Sequence, residues 1–545
     1  MSHFLFNLEI HISIMLILAL ILVFIYEAIN GFHDTANSVV TVIYTCALNS
    51  HSAVLMSGIF NFLGVIFGGL SVAYAIIHLL PTYFFMNTNA NHILVMIFSM
   101  LFAAILWNLG TWYFRVPTSS SHTLIGTLIG IGLVNAMITH CPMTQGLNIP
   151  KLTNIFLSLI ISPIIGLIIA KIMMLILCRY WNNNNKKNKN IHTTPTQQMQ
   201  EHGRPQPSLW TRVILILSAA GVSFSHGAND GQKGIGLVML LLIGVAPASF
   251  MLNMHANSHD ISRTRDAVNN FYEYYTQHGN TFKIIIPSEM ASMPISTALN
   301  QLAIIIPSFK EETQIFANNN NDNNNTVCYN KYLYSSETET QIRKIFHDLP
   351  LTITIINNAS LLLKNLDSYA QLNIEQRSQM RQLIIYIVDI LDQVTALPET
   401  SYKNKHFLKN LKKHLLNTIE YAPTWIIFTV ALSLSLGTII GWKRVATTIG
   451  EKIGKREMTY AQGLSAQLTT AISIGTASYA GMPVSTTHVL SSSITGSMLI
   501  RGWGVQGKTI KNILITWSLT LPVSIALSGS FYWITLHLLH NNIQI

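Results

Sequence analysis

Ser223-Phe224-Ser225-His226-Gly227-Ala228-Asn229-Asp230-Gly231-Gln232-Lys233-Gly234-Ile235-Gly236 lies between two apolar runs, 213–220 and 237–243. An ionised Asp or Lys at the centre of a membrane helix costs about 2.5–3.5 kcal/mol on insertion scales. Asp230 and Lys233 therefore need a partner or a wet cavity. The four glycines predict a helix broken at this point, and broken helices at membrane depth are where transporters hold ions and small anions.

The stretch has a counterpart near the N-terminus, Asn30-Gly31-Phe32-His33-Asp34-Thr35-Ala36-Asn37. With Asp34 set on Asp230, Gly31 falls on Gly227 and Asn37 on Lys233. Polar residues recur at Glu27, Asn30, Asp34 and Asn37, and at Ser223, His226, Asp230 and Lys233. Both sets follow the spacing of one helix face. Two polar faces within apolar segments predict one site shared by two repeats.

Composition fixes the class. Of 545 residues, 50% are hydrophobic and only 10% charged, with mean hydropathy +0.38, against about 25% charged in ordinary soluble domains. Apolar runs near 20 residues predict a polytopic all-α membrane protein rather than a barrel. The net charge of +10 is read as positive-inside loops, not as nucleic-acid binding. Cys46, Cys141, Cys178 and Cys328 are scattered, which indicates neither a zinc site nor a disulfide framework. The segment 12–29 is read as a retained helix, not a signal peptide.

About 10–12 segments are expected. They fall near 12–29, 36–48, 53–80, 93–114, 123–139, 152–178, 213–225, 235–253, 424–442, 461–480, 488–500 and 513–537. The organisation is a first membrane repeat (1–180), a basic cytoplasmic loop (181–212) and the start of a second repeat (213–254). A soluble, mostly helical insert with an Asn-rich loop follows (255–420), then the remainder of the second repeat (421–545). The repeat extends to Gly64/Gly68 against Gly437/Gly441 and to Pro117-Thr118-Ser119-Ser120-Ser121-His122 against Pro483-Val484-Ser485-Thr486-Thr487-His488. Asp34 precedes Gly64 by 30 residues, while Asp230 precedes Gly437 by 207, an excess close to the length of the insert. Basic residues Lys443, Arg444, Lys452, Lys455 and Arg456 fill one loop, and its counterpart at 81–92 has no Lys or Arg, so the repeats are expected to be inverted, with re-entrant hairpins.

Ser119, Ser120, Ser121, Ser485, Thr486 and Thr487 follow a proline and open an apolar helix, where free N–H groups and hydroxyls suit an oxyanion. Helix capping is the plainer role for any one such run. The carboxylates of Asp34 and Asp230 suit a coupling cation, Na⁺ or H⁺. With Asn37, Asn229, Lys233 and Glu27 they make the candidate cation-coupling set, and Glu27 is read either as pairing with Lys233 or as relaying protons. His122 and His488 are proton carriers or backbone-bonded; Arg115 snorkels. His255 and His259 have ligand spacing but no third ligand, so no metal site is expected.

Gly31-Phe32-His33-Asp34-Thr35-Ala36-Asn37 and Gly227-Ala228-Asn229-Asp230-Gly231-Gln232-Lys233 resemble the paired G-A-N-D-V-A-N signature of the inorganic phosphate transporter (Pit/PiT) family. The Ser-Ser-Ser-His and Ser-Thr-Thr-His segments, and the stretch 441–450, are also similar to that family, most of all to its bacterial low-affinity branch. The resemblance covers roughly 1–255 and 420–545. It implies phosphate uptake across a bacterial inner membrane, proton-coupled, with phosphate travelling as a metal complex, by a homodimer with inverted repeats. His33 and Lys233 depart from the signature, each replacing an Asn, and put a sodium site of the full pattern in question. The alternatives are a sodium-coupled phosphate symporter or a cation-coupled symporter of another oxyanion such as sulfate. No resident cofactor and no enzymatic role are expected. A lipid-phosphate enzyme lacks a G-x-S-x-G elbow here, and the remaining rival is a sensor or regulated channel built on the insert.

Overall fold

The computed structural model describes residues 9–80, 89–114, 116, 118–139, 146–180, 189–278, 351–398, 400–440, 453–500 and 504–542. The Asn tract at 318–325, Arg115, Lys443 and Arg444, the stretch 441–450, Cys141 and Cys328 lie outside these. The described residues are helical, in chain order α1 Ile10–Tyr44, α2 Ser50–Phe67, α3 Ser71–Ile77, α4 Ala90–Tyr113, α5 Ser120–Ile138, α6 Ile149–Tyr180, α7 Pro195–His202, α8 Leu209–Val245 and α9 Pro247–Phe250. They continue as α10 Ser258–His278, α11 Leu351–Leu363, α12 Ile374–Ala396, α13 Tyr402–Leu416, α14 Thr424–Ile440, α15 Tyr460–Tyr479, α16 Thr486–Met498 and α17 Gly507–Asn542.

Seven of these helices are long and apolar enough to cross a membrane, fewer than the segments expected, and α14 is a shorter apolar helix. Three of the expected segments, 424–442, 461–480 and 488–500, correspond to α14, α15 and α16, which are not among the seven, and two mergers account for the rest of the difference. Segments 12–29 and 36–48 are one 35-residue helix, α1. Segment 213–225 and the part of 235–253 up to Val245 are joined in the 37-residue α8. Helix breaks come instead before the hydroxyl triplets, between α4 and α5 and between α15 and α16. The glycines of the aspartate motifs do not break the helices; they let other backbones approach. A Cβ on Gly31 would overlap the carbonyl of Leu434, and one on Gly227 the carbonyl of Asn61.

The two halves exchange partners. Gly437 of α14 lies against the carbonyl of Ala28 in α1, and Gly64 of α2 against that of Phe224 in α8. Ala28 and Phe224 each stand six residues before their aspartate. In the same way α5 packs on α17 and α16 on α6, with Gly130 against Ile525 and Gly496 against Leu167. Such small-residue contacts associate helices where lipid removes any hydrophobic gain. Ile160, Ile164, Ile168 and Ile172 leave the outer face of α6 exposed and apolar, as a lipid-facing helix requires.

Between α9 and α14, helices α10 to α13 enclose a separate core that includes Phe271, Ile355, Leu383, Ile387 and Leu411. Arg381 bridges the two ends of this segment, donating to the carbonyls of Met251 at 2.7 Å and Ile419 at 3.2 Å. On the membrane side Gln232, next to Lys233, fixes the start of α3: it accepts from the Val72 amide at 2.7 Å and donates to the Gly68 carbonyl at 2.6 Å.

Candidate functional site

The centre of the molecule is a polar cluster buried among four elements. Helices α1 and α8 bring Asp34 and Asp230, and the N-terminal turns of α5 and α16 bring the hydroxyls. Asp34, His226, Asp230 and Lys233 are at most 3% exposed. Burial without partners would cost several kcal/mol per charge, and the partners are present.

Asp34 Oδ1 accepts from Thr487 Oγ1 at 2.9 Å and Asn37 Nδ2 at 3.2 Å, and Oδ2 accepts from Ser120 Oγ at 2.8 Å. Asp230 Oδ1 is 2.5 Å from Lys233 Nζ, and Oδ2 accepts from Thr486 Oγ1 at 3.5 Å. The pattern is duplicated position by position. Ser120 and Thr486, each three residues after their proline, hold the aspartate of their own repeat. Asn37 crosses to Thr487 at 2.9 Å, and at the matched position Lys233 crosses to Ser121. Lys233 also donates to the Val484 carbonyl at 3.0 Å, as does Ser121 Oγ at 2.9 Å.

The other sequence-chosen residues divide. Ser119 and Ser485 cap α5 and α16, each accepting from the backbone N–H three residues on at 3.2 Å, the role Ser fills at helix starts. Asn229 turns away from the carboxylates: it donates to Ser478 Oγ at 3.0 Å and the Met482 carbonyl at 3.2 Å, and accepts from the Val484 amide at 3.3 Å. Glu27 makes no ion pair with Lys233 among the described residues. Its carboxyl lies over Gly234, where a Cβ would overlap it. It is 0% exposed, and neither oxygen has a hydrogen-bond partner. His122 and His488 meet, ring centroids 4.5 Å apart; His122 bonds Ser119 at 2.8 Å, and His488 stacks on Trp517. The residue that sequence reasoning passed over is His226. It stood on the polar face with Asp230, and that position was its only signal. In the fold its Nε2 is 3.2 Å from Asp230 Oδ2 and 4.0 Å from Asp34 Oδ2.

A helical membrane protein with paired carboxylates, an internal ammonium and converging helix N-termini at its core is built as a transporter. Residues 30–528 match the model of the phosphate transporter family. The chain is 51% identical to the low-affinity inorganic phosphate transporter PitA of Escherichia coli K12, over 99% of this chain and all of that one. It is 49% identical to PitB of the same strain, over 98% and 99%. A solved structure described as the sodium-dependent phosphate transporter is 19% identical, with a TM-score of 0.49 over 96% of this chain and 98% of that one. The chain belongs to the phosphate transporter family, and with its seven apolar helices of membrane-crossing length it is a multi-pass inner-membrane protein.

Proposed function

We propose that the chain takes up inorganic phosphate by secondary active transport, driven by protons, with phosphate entering as a neutral complex with a divalent metal. Family membership and the full-length identity to low-affinity phosphate transporters support the substrate. The single observation that supports protons over sodium is the seat of Lys233. Its ammonium occupies a cage of one carboxylate, one hydroxyl and one backbone carbonyl. That is an oxygen set suited to a small monovalent cation, and a fixed ammonium there leaves no room for one. Helices α5 and α16 direct four hydroxyls, Ser120, Ser121, Thr486 and Thr487, at this centre. Those hydroxyls now donate to the carboxylates and to Val484, so the anion is taken up when they turn from these acceptors to it. Inverted repeats and a homodimer, implied by the family resemblance, belong to the same proposal.

The test is uptake of radiolabelled phosphate into proteoliposomes holding the full chain, under a proton gradient or a sodium gradient imposed separately, with sulfate as competitor. Accumulation under the proton gradient alone, unaffected by sulfate, is the expected result. Uptake that follows sodium, or sulfate displacing phosphate, would replace this reading with one of its alternatives.

A further inference from the structure

We infer that Ser38, Thr41, Gln467 and Ser491 form a second binding station for the transported oxyanion, one helical turn from the central cluster on the side of the basic loops. The inference deepens the transport reading above and rests on it.

The four residues come from three helices that converge beyond Asp34. Asn37 of α1 donates to Thr487 of α16 at 2.9 Å. Residues four apart share a helix face, so Thr41 and Ser491 stand one turn beyond that contact, about 6 Å along each axis. Both helices run the same way from the centre. Near the end of α1, the methyl group of Thr45 lies where a Cβ on Gly463 of α15 would meet it. At the end of α16, Met498 lies against Gly454, shortly before α15. Helix α15 starts at this end and runs back towards the centre, so four residues after Gly463 it brings Gln467 level with Thr41. Ser38 precedes Thr41 by three residues, on the same face of α1.

Each of these side chains holds a buried polar atom without a hydrogen-bond partner: Oγ of Ser38, Oγ1 of Thr41, Nε2 of Gln467 and Oγ of Ser491. All four residues are at most 3% exposed. A hydroxyl inside a helix commonly bonds the carbonyl one turn back. Thr45 does so to the Thr41 carbonyl at 2.7 Å, Thr470 to that of Ala466 at 2.7 Å and Thr495 to that of Ser491 at 2.8 Å. Ser38, Thr41 and Ser491 do not. Gln467 Oε1 accepts from Ser218 Oγ at 2.6 Å, the shorter of that hydroxyl's two contacts, which leaves the protons of Nε2 unused. Buried polar atoms in this state call for a ligand or water.

The donor set selects the charge of that ligand. An amide nitrogen donates and cannot coordinate a cation. No Asp or Glu occurs in α15, in α16 or in α1 after Asp34, so a cation has no counter-charge here. A tetrahedral oxyanion can instead take a hydrogen bond from each of the three helices. Beyond the station Arg212, at the start of α8, donates to the Ala47 carbonyl at 2.7 Å and sets a positive charge past the end of α1. Lys455 and Arg456 precede α15 at the same end. In the other direction, beyond Glu27, Leu16, Leu20 and Val23 of α1 share one apolar core with residues 237–243 of α8. An anion leaving the central hydroxyls is met by donors towards the basic loops and by apolar packing on the opposite side.

A sided measurement tests the station: the KM for radiolabelled phosphate in right-side-out and in inside-out membrane vesicles holding the full chain, for wild type, Thr41→Val, Gln467→Leu and Ser491→Ala. Each substitution removes donors with little change of volume, and size-exclusion elution checks folding. Thr495→Val, whose hydroxyl is already bonded within α16, is the control. Each of the three variants should raise KM about tenfold for phosphate presented on the side of the basic loops, as loss of a hydrogen bond to a charged group does. KM on the opposite side should stay at the wild-type value. Ser491→Ala, the smallest change, decides the case if the others do not fold. Wild-type KM on both sides overturns the station and leaves a passage for water alone. An equal rise on both sides also overturns it and assigns the residues to the central cluster. Either result, with phosphate still carried, leaves the transport reading standing. Wild type that carries sulfate in place of phosphate rejects the substrate of that reading, and the one-sided shift read with sulfate then supports the station. Wild type that carries neither anion rejects both.

Discussion

Lys233 Nζ stands 2.5 Å from Asp230 Oδ1, at the position where the first repeat sets Asn37 Nδ2 3.2 Å from Asp34 Oδ1. The same backbone offset serves an amide in one half and an ammonium in the other. Each also reaches across to a hydroxyl of the opposite repeat, Thr487 or Ser121.

Lys233→Asn should restore the symmetry and reopen the cation seat. In proteoliposomes with separate Na⁺ and H⁺ gradients, wild-type phosphate uptake should ignore Na⁺. The variant should be either crippled or newly responsive to Na⁺. A variant with wild-type rate and unchanged ion dependence would show that Lys233 is a structural ion pair.

Ser120→Ala and Thr486→Ala should each raise the apparent KM for phosphate. Loss of one hydrogen bond to a charged group costs about 1.5–3 kcal/mol, or roughly tenfold or more in affinity. Ser120 should matter more, since it holds its aspartate at 2.8 Å and Thr486 at 3.5 Å. An unchanged KM in the double variant would confine both residues to opening their helices.

Glu27→Gln should uncouple uptake from the proton gradient while leaving equilibrative exchange of phosphate in place. The motive is a carboxyl buried to 0% exposure with neither oxygen bonded, and a buried polar group left unsatisfied in this way calls for a functional explanation. Concentrative uptake by the variant equal to wild type would remove Glu27 from the proton route.

Gly437→Ala should destabilise the fold without touching the site chemistry. Its methyl group would overlap the Ala28 carbonyl, and overpacking of this kind costs about 1–3 kcal/mol. The expected readout is a lower melting temperature and a smaller monodisperse fraction in detergent. Gly110→Ala, which meets nothing, is the control, and equal melting temperatures for the two variants would count against close packing at Gly437.

The sequence by itself determined the class, the duplication and the polar faces, because these are local or periodic properties. Hydropathy marks helices, spacing marks a face, and motif copies mark repeats. It also placed Asp34 and Asp230 at the centre, since a carboxylate in an apolar segment is costly wherever the segment goes. The tertiary structure decided what each polar residue meets. Asn37 and Thr487 are 450 residues apart and Lys233 and Ser121 are 112 apart, and no local pattern encodes such pairings. The same reason explains the continuous helices at Gly31 and Gly227. Glycine reads as a helix breaker in one dimension, but here each gives up its side chain so that the helix of the other half can pack against it. Asn61 comes from a third helix, outside both signature motifs, so only the fold could show its side chain 3.0 Å from the ring of His226.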